Sequence, residues 1–285
     1  MSRKTRIGKF GFVNNFLPYY RLEQNGVAVV EASPKRLAGL LERGEVDFAP
    51  VPSFYYLKNK EKLRSYEFCV ASTERVLSVV VVSERAGRLE RGAGLEGEWR
   101  NGCVAATNQT VTSLNLLKII LRERGLGEVG LGEAGLGEAG LGEAELGEAW
   151  EVKVVNESRA GELLKHGTYA LVIGDEAIRA RLTNKYRVEL DLGAEWRELT
   201  GCPMVFGISA SPREKELGEE SRKVLESLAW GEKHVEVVVG EAEKKFGMPA
   251  EFLREYFNSL TYRLGARERR GLELFEEKCY EFGLL

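Results

Sequence analysis

Apolar positions along this chain fall into short runs of strand length, separated by longer stripes at helical spacing. Residues 6–12, RIGKFGF, alternate as a half-buried strand does and run into Val13-Asn14-Asn15. Residues 27–31 make a second short strand. Ser33-Pro34 then predicts a helix start, with serine at the cap and proline where its missing N–H costs nothing. Leu37, Leu40 and Leu41 stripe one face of that helix and Gly44 stops it. Residues 46–51 form the next strand, and the order β, β, α, β implies parallel pairing through helical crossovers. The longest β-branched run, 72–83, is interrupted by one hydroxyl, Ser78. Residues 104–121, VAATNQTVTSLNLLKIIL, pass from a short strand through a polar turn into an apolar-striped helix. Strands follow at 151–155 and 169–173, with a helix opened by Ser158 between them. A short helix at 191–196 and an apolar strand at 204–208 come next. From Pro212 the chain reads as mainly helical. Residues 251–264 carry Phe252, Leu253, Tyr256, Phe257, Leu260 and Leu264 at helical spacing, which reads as core. A second amphipathic helix covers 268–280.

Polar residues gather where these elements meet. The turn 107–113 puts hydroxyls and amides at a helix start, where backbone N–H groups lack partners and the macrodipole leaves partial positive charge. Such a turn is either an ordinary cap or a seat for a carboxylate or phosphate. Asn14 and Asn15 end a strand, which suits a ligand site in an open α/β sheet or a plain turn. Gly174-Asp175-Glu176-Ala177 follows another strand; its carboxylates suit acid–base work or complement a helix dipole. Ser78 is either a ligand contact or a backbone-bonded strand serine. Residues 125–149 repeat a unit close to Gly-Leu-Gly-Glu-Ala, whose glycines oppose helix and strand alike. This stretch reads as an exposed insertion without chemistry.

Composition narrows the field. At 285 residues, with hydrophobics at 44% and charged residues at 30%, the chain has the makings of a globular protein with two cores. A net charge of −3 gives no push toward nucleic acid or a membrane surface. No apolar run has the length to span a bilayer, and no signal-peptide h-region follows the basic start. Cys69, Cys103, Cys202 and Cys279 are dispersed and read as free thiols in a reducing cytoplasm. His166 and His234 share no motif with them, so no metal site is expected.

Two α/β units joined by strands near 77–82 and 204–208, with a helical C-terminus packed back on the first unit, outline a two-lobed, hinged binding-protein fold. The expected division is 1–77 with 209–285 as the first lobe and 78–208 as the second, the insertion 125–149 included. The blocks FVNN, GEVDFAPVPSFYY, RVLSVVVVS, TNQTVTSLNLLKIIL, LVIGDEAIR, DLGAEWRELTGCPMVF and LREYFNSLTYRLGARERRGLELF occur in one order. In these blocks the chain resembles the chorismate dehydratases of the futalosine route to menaquinone, which share the two-lobed fold of type II periplasmic binding proteins.

The resemblance implies a site. Asn14 matches the substrate-contacting amide, and Asn15 takes that place when the alignment is set on Pro18. Pro52 and Ser53 match the first-lobe loop, and Ser78 the serine facing the reacting ring. Thr110, Thr112 and Ser113 match the anion-binding helix start, Asp175 the turn after the strand. Thr200, Gly201 and Pro203 match the return to the first lobe. Cys202, Met204 and Ser209 stand where the family more often has Leu, Phe and Trp.

The implied reaction removes water from chorismate to give 3-(1-carboxyvinyloxy)benzoate, without cofactor or metal. None of the matched blocks puts His, Lys or Cys in a reacting position. The expected base is therefore the substrate's own enolpyruvyl carboxylate, oriented by Asn14 (or Asn15) and Ser78, with Asp175 second in line. The alternatives are the sister enzyme of the same pathway that acts on a cyclic dehypoxanthine futalosine, and a non-catalytic ligand-binding protein of the same fold.

Overall fold

The computed structural model describes residues 5–85, 102–125, 129–132 and 150–285. The chain opens with β1 (Ile7–Phe10), a 3-10 turn (Val13–Asn15), α1 (Phe16–Gln24), β2 (Val29–Ala32) and α2 (Pro34–Glu42). β3 (Ala49–Pro52), α3 (Ser53–Lys58) and β4 (Leu63–Ser72) follow. The chain then crosses to a second sheet. There it forms β5 (Val79–Glu84), β6 (Cys103–Thr107), α4 (Thr112–Glu123), β7 (Val129–Gly132) and β8 (Trp150–Val155). α5 (Ala160–Leu163), β9 (Tyr169–Ile173), α6 (Gly174–Leu182) and β10 (Tyr186–Asp191) complete that lobe. α7 (Leu192–Thr200) leads back to β11 (Met204–Pro212). The end of the chain is α8 (Gly218–Lys233), α9 (Val235–Phe246), α10 (Ala250–Asn258), β12 (Leu260–Arg263) and α11 (Ala266–Glu281).

Among the described residues the second lobe holds a six-stranded sheet in the order β10-β5-β9-β6-β8-β7, parallel from β9 to β7 and antiparallel at the β5 and β10 edge. The first lobe holds a four-stranded antiparallel sheet, β12-β4-β11-β3. A parallel β1-β2 pair continues it through a bridge between Ile7 and Phe48. This is the two-lobed α/β architecture expected from the pattern. The inner strands are buried on both faces, as the apolar runs at 79–82 and 104–106 require.

Four details differ from the sequence reading. First, β11 lies wholly in the first sheet, paired on both sides. The chain therefore crosses between lobes at 73–78 and through α7, ahead of the strand at 204–208. Second, the glycine-rich stretch contributes β7, parallel to β8. An edge strand needs only backbone groups to pair along one side, so glycine weakens it without forbidding it; residues 126–128 and 133–149 lie outside the described residues. Third, the aromatic stripe breaks at Asn258, and Leu260–Arg263 turn into β12 against β4. Fourth, β4 lacks the strict alternation that marks a strand, β10 (YRVELD) does alternate but is not among the strands expected from the sequence, and the helix before Leu164 starts without a cap from Ser158.

The C-terminal helices pack on the first lobe, and α11 also reaches α4 and α7 of the second. Trp196 of α7 meets Phe275 of α11 edge to face at 6.0 Å, and both are fully buried. Burying such side chains contributes about 1.5–3 kcal/mol each. Gly271 lets α11 lie directly on the turn after α7, because a Cβ there would stand 2.0 Å from the Pro203 carbonyl oxygen.

Candidate active site

A cleft with about 510 Å³ of empty space, part of it open to solvent, lies between the lobes. Its floor is the first crossing. Ser78 N–H donates to the Val76 carbonyl at 2.7 Å, closing a γ-turn centred on Leu77, whose φ is +60°. For a bulky residue that backbone region costs about 1–3 kcal/mol. The turn is held from outside. Asp191 accepts from Val76 N–H through Oδ1 and from Leu77 N–H through Oδ2, both at 2.9 Å. Arg181 donates to the same carboxylate at 3.0 Å and to the Leu77 carbonyl at 3.2 Å. The Ser78 carbonyl accepts from Gly174 N–H at 2.7 Å. Gly174 itself has φ +62°, and a Cβ there would press on the Phe12 ring at 2.8 Å. With its backbone fixed in this way, Ser78 lines the cleft and its Oγ accepts from the buried Tyr256 phenol at 2.9 Å.

One wall is the start of α4. Thr110, Val111, Thr112 and Ser113 all line the cleft, and no side chain caps the helix. Thr112 Oγ1 accepts from Phe54 N–H of the first lobe at 3.2 Å, which leaves its own O–H to donate. Thr110 is 4% exposed and its hydroxyl has no partner among the described residues. An unpaired buried hydroxyl beside unpaired helix-start N–H groups is the chemistry of an anion seat.

The opposite wall comes from the first lobe. Asn14 and Pro52 line the cleft with Phe10, Phe12 and Phe206. Asn15 stands behind, fully buried. Its Oδ1 accepts from Phe10 N–H at 3.0 Å, and its amide donates to Asn14 Oδ1 at 3.1 Å. Asn14 is thereby turned to offer its NH₂ group to the cleft, so the structure separates two residues that the sequence left as alternatives.

Asp175 does not line the cleft. Its Oδ1 accepts from Val13 N–H at 2.9 Å, tying the second lobe to the turn that carries Asn14. Burial raises its carboxyl above the ordinary range, against the pull of that N–H and of Arg179. Ser33 completes the bridging: its hydroxyl donates to Gln109 Oε1 at 3.1 Å instead of capping α2.

The remaining sequence candidates are elsewhere. Ser53 is fully buried at the start of α3, its hydroxyl without a partner among the described residues, and it does not line the cleft. Thr200 Oγ1 donates to the Trp196 carbonyl and accepts from Cys202 N–H, and Gly201 ends α7 at φ +70°. With Pro203 against α11, these three form the C-terminal turn of α7 and stay out of the cleft lining. Tyr256, Arg181 and Asp191 were absent from the sequence candidates. A tyrosine inside an otherwise apolar stripe was the available signal, since a buried phenol needs a partner.

No ionisable side chain of the described residues lines the cleft. The polar groups there are amides and hydroxyls; Ser78, Thr112 and Asn14 each accept a bond from the protein, which leaves their hydrogens to donate. No cluster of three or more His, Cys, Asp or Glu suited to a metal exists among the described residues. No helix among them is long and apolar enough to cross a membrane.

Comparison with known proteins supplies the context. A family described as menaquinone biosynthesis matches residues 5–131 and 142–281. A chorismate dehydratase of Thermus thermophilus is 30% identical across 91% of this chain and 88% of its own length. Among solved structures, a protein of Archaeoglobus fulgidus superposes with a TM-score of 0.72 at 16% identity, covering 100% of this chain and 99% of that one. The periplasmic aliphatic sulphonate binding protein of Escherichia coli gives 0.64 at 16% identity, over 99% of this chain and 88% of that one. The last two likenesses establish the fold.

Proposed function

This chain belongs to the menaquinone-biosynthesis family, and from that premise we propose that it is a chorismate dehydratase, a hydro-lyase that acts in the cytoplasm. The observation that carries the reading is the cleft of neutral donors with no base in it. Chorismate brings two carboxylates, one on the ring and one on the enolpyruvyl ether. A donor-rich cleft without fixed negative charge suits both. The α4 start with Thr110, Thr112 and Ser113 holds one carboxylate and stabilises charge that builds toward it as the ring proton leaves. With no protein base facing the ligand, the enolpyruvyl carboxylate removes the proton from the ring carbon that bears the ether. The C–H electron pair becomes ring π density, the neighbouring C–O bond breaks with its pair on oxygen, and proton and hydroxide leave as one water. Aromatisation drives the step, and the protein's part is orientation through Asn14 and Ser78.

The location rests on the four cysteines, which are unpaired thiols as a reducing compartment keeps them. The lobes of this reading are those expected from the sequence, with the second border moved from 208/209 to the end of α7 so that β11 stays whole.

Incubation with chorismate, followed by mass detection, tests the reading. A product lighter by one water supports it. Chorismate bound and returned unchanged would favour the non-catalytic binder, and a chain that ignores chorismate would send the search to the sister substrate.

A further inference from the structure

The Ser78 hydroxyl has a partner that comes from neither crossing. Tyr256 sits on α10, 178 residues away in sequence, with no exposed surface. Its O–H donates to Ser78 Oγ at 2.9 Å, and it makes no other hydrogen bond among the described residues. Burial keeps this phenol protonated, well above the ordinary tyrosine range. A serine hydroxyl has one hydrogen to give and two lone pairs to receive. With a lone pair taken by Tyr256, the Ser78 N–H bonded to Val76 within the crossing and its carbonyl bonded to Gly174 at the start of α6, the remaining outlet for the serine hydrogen is the cleft.

We propose that Tyr256 is a positioning residue that makes Ser78 an obligate donor, aimed at the hydroxyl oxygen that leaves the substrate. This rests on the dehydratase reading. One substrate carboxylate has the α4 start to bind to, and the other is engaged as the base. Ser78 carries a single neutral donor, which suits a neutral hydroxyl that gains negative charge only as its C–O bond breaks. Ser78 and Tyr256 keep their protons throughout, and the water forms from the ring proton and the released hydroxide. Two hydrogen bonds in series polarise each other, so the phenol strengthens the donor that faces the reaction.

The test measures single-turnover rates and chorismate dissociation constants for wild type, Tyr256→Phe, Ser78→Ala and the double variant. Tyr256→Phe should lower the chemical rate about tenfold to a hundredfold, the range for groups that act through a contacting residue, with the dissociation constant unchanged. In the Ser78→Ala background the same change should add nothing. Wild-type rate in Tyr256→Phe, lost affinity with the rate kept, or two effects that multiply would each overturn the proposal. Should Tyr256→Phe not fold, 3-fluorotyrosine at position 256 replaces it. Its more acidic O–H should raise the rate, and a rate at or below wild type would overturn the proposal. A wild type that does not dehydrate chorismate removes the parent reading and this inference together. An active wild type beside an unaffected Tyr256→Phe removes this inference alone.

Discussion

Two helices of the second lobe begin next to the cleft, and they treat their unpaired N–H groups in opposite ways. At the start of α7, Asp191 accepts from Gly193 and Ala194 N–H at 3.1 and 3.2 Å while it also holds Val76, Leu77 and Arg181. At the start of α4 the cap position is Val111, and among the described residues no side chain fills the end and the buried Thr110 hydroxyl has no partner. One helix carries its anion in its own sequence, and the other leaves the place open. The first arrangement stabilises a strained crossing. The second leaves polar groups unsatisfied, and a ligand that fits them recovers what folding left unmet.

Removing the internal anion should have the largest effect. Asp191→Ala leaves four backbone N–H groups and a guanidinium without their acceptor, and should cost about 3–5 kcal/mol in urea denaturation. A loss near zero would dissolve the contrast, because α7 would then be as indifferent to its cap as α4. The converse change is Thr110→Val, which keeps the side-chain shape and deletes the orphan hydroxyl. Stability should hold or rise, while chorismate affinity falls by about 1.5–3 kcal/mol, the range for a hydrogen bond to a charged group. Unfolding at lower urea would show that the hydroxyl has a protein partner.

Asp175→Asn should have the smallest effect, and it sharpens the contrast with a carboxylate that serves neither purpose. Asparagine keeps an acceptor for Val13 N–H. The wild-type carboxyl, raised by burial, holds its proton more tightly folded than unfolded. Stability is therefore greatest below the ordinary carboxylate value of 3.8 and declines as pH climbs through the raised folded value. The variant lacks that decline, so its stability relative to wild type should improve from acid to neutral pH. Turnover should survive, since the carboxylate bonds to Val13 and not to the ligand space. A chemical step abolished with binding intact would make Asp175 the base after all.

The α4 start was legible in the sequence because its signal is local: hydroxyls and amides stand directly before a striped helix. The strand at 79–82 and the asparagine pair were legible for the same reason. Which asparagine faces the cleft was not, because the answer depends on Phe10 N–H lying against Asn15. Thr200 and Gly201 sit in a block that matched the family, yet their hydrogen bonds stay within the turn that ends α7. Tyr256 fits the helical stripe as an apolar residue would, and nothing local marks its hydroxyl as the partner of Ser78. β7 runs through glycines, whose weak strand preference leaves no local mark of a strand. In each case the deciding partner lies far along the chain or belongs to the backbone, where composition and spacing carry no mark.

The position of β11 has a consequence for how the molecule is made. All six strands of the second sheet lie between residues 79 and 191, so that sheet is complete once those residues have left the ribosome. The first sheet is begun earlier, but β3 and β4 do not pair with each other; both pair with β11, which is synthesised after the whole second lobe. The lobe that is started first is thus closed last, and its early strands remain without their sheet partner during the intervening synthesis. The Leu77 turn shares this delay, because the carboxylate that holds it arrives 114 residues later.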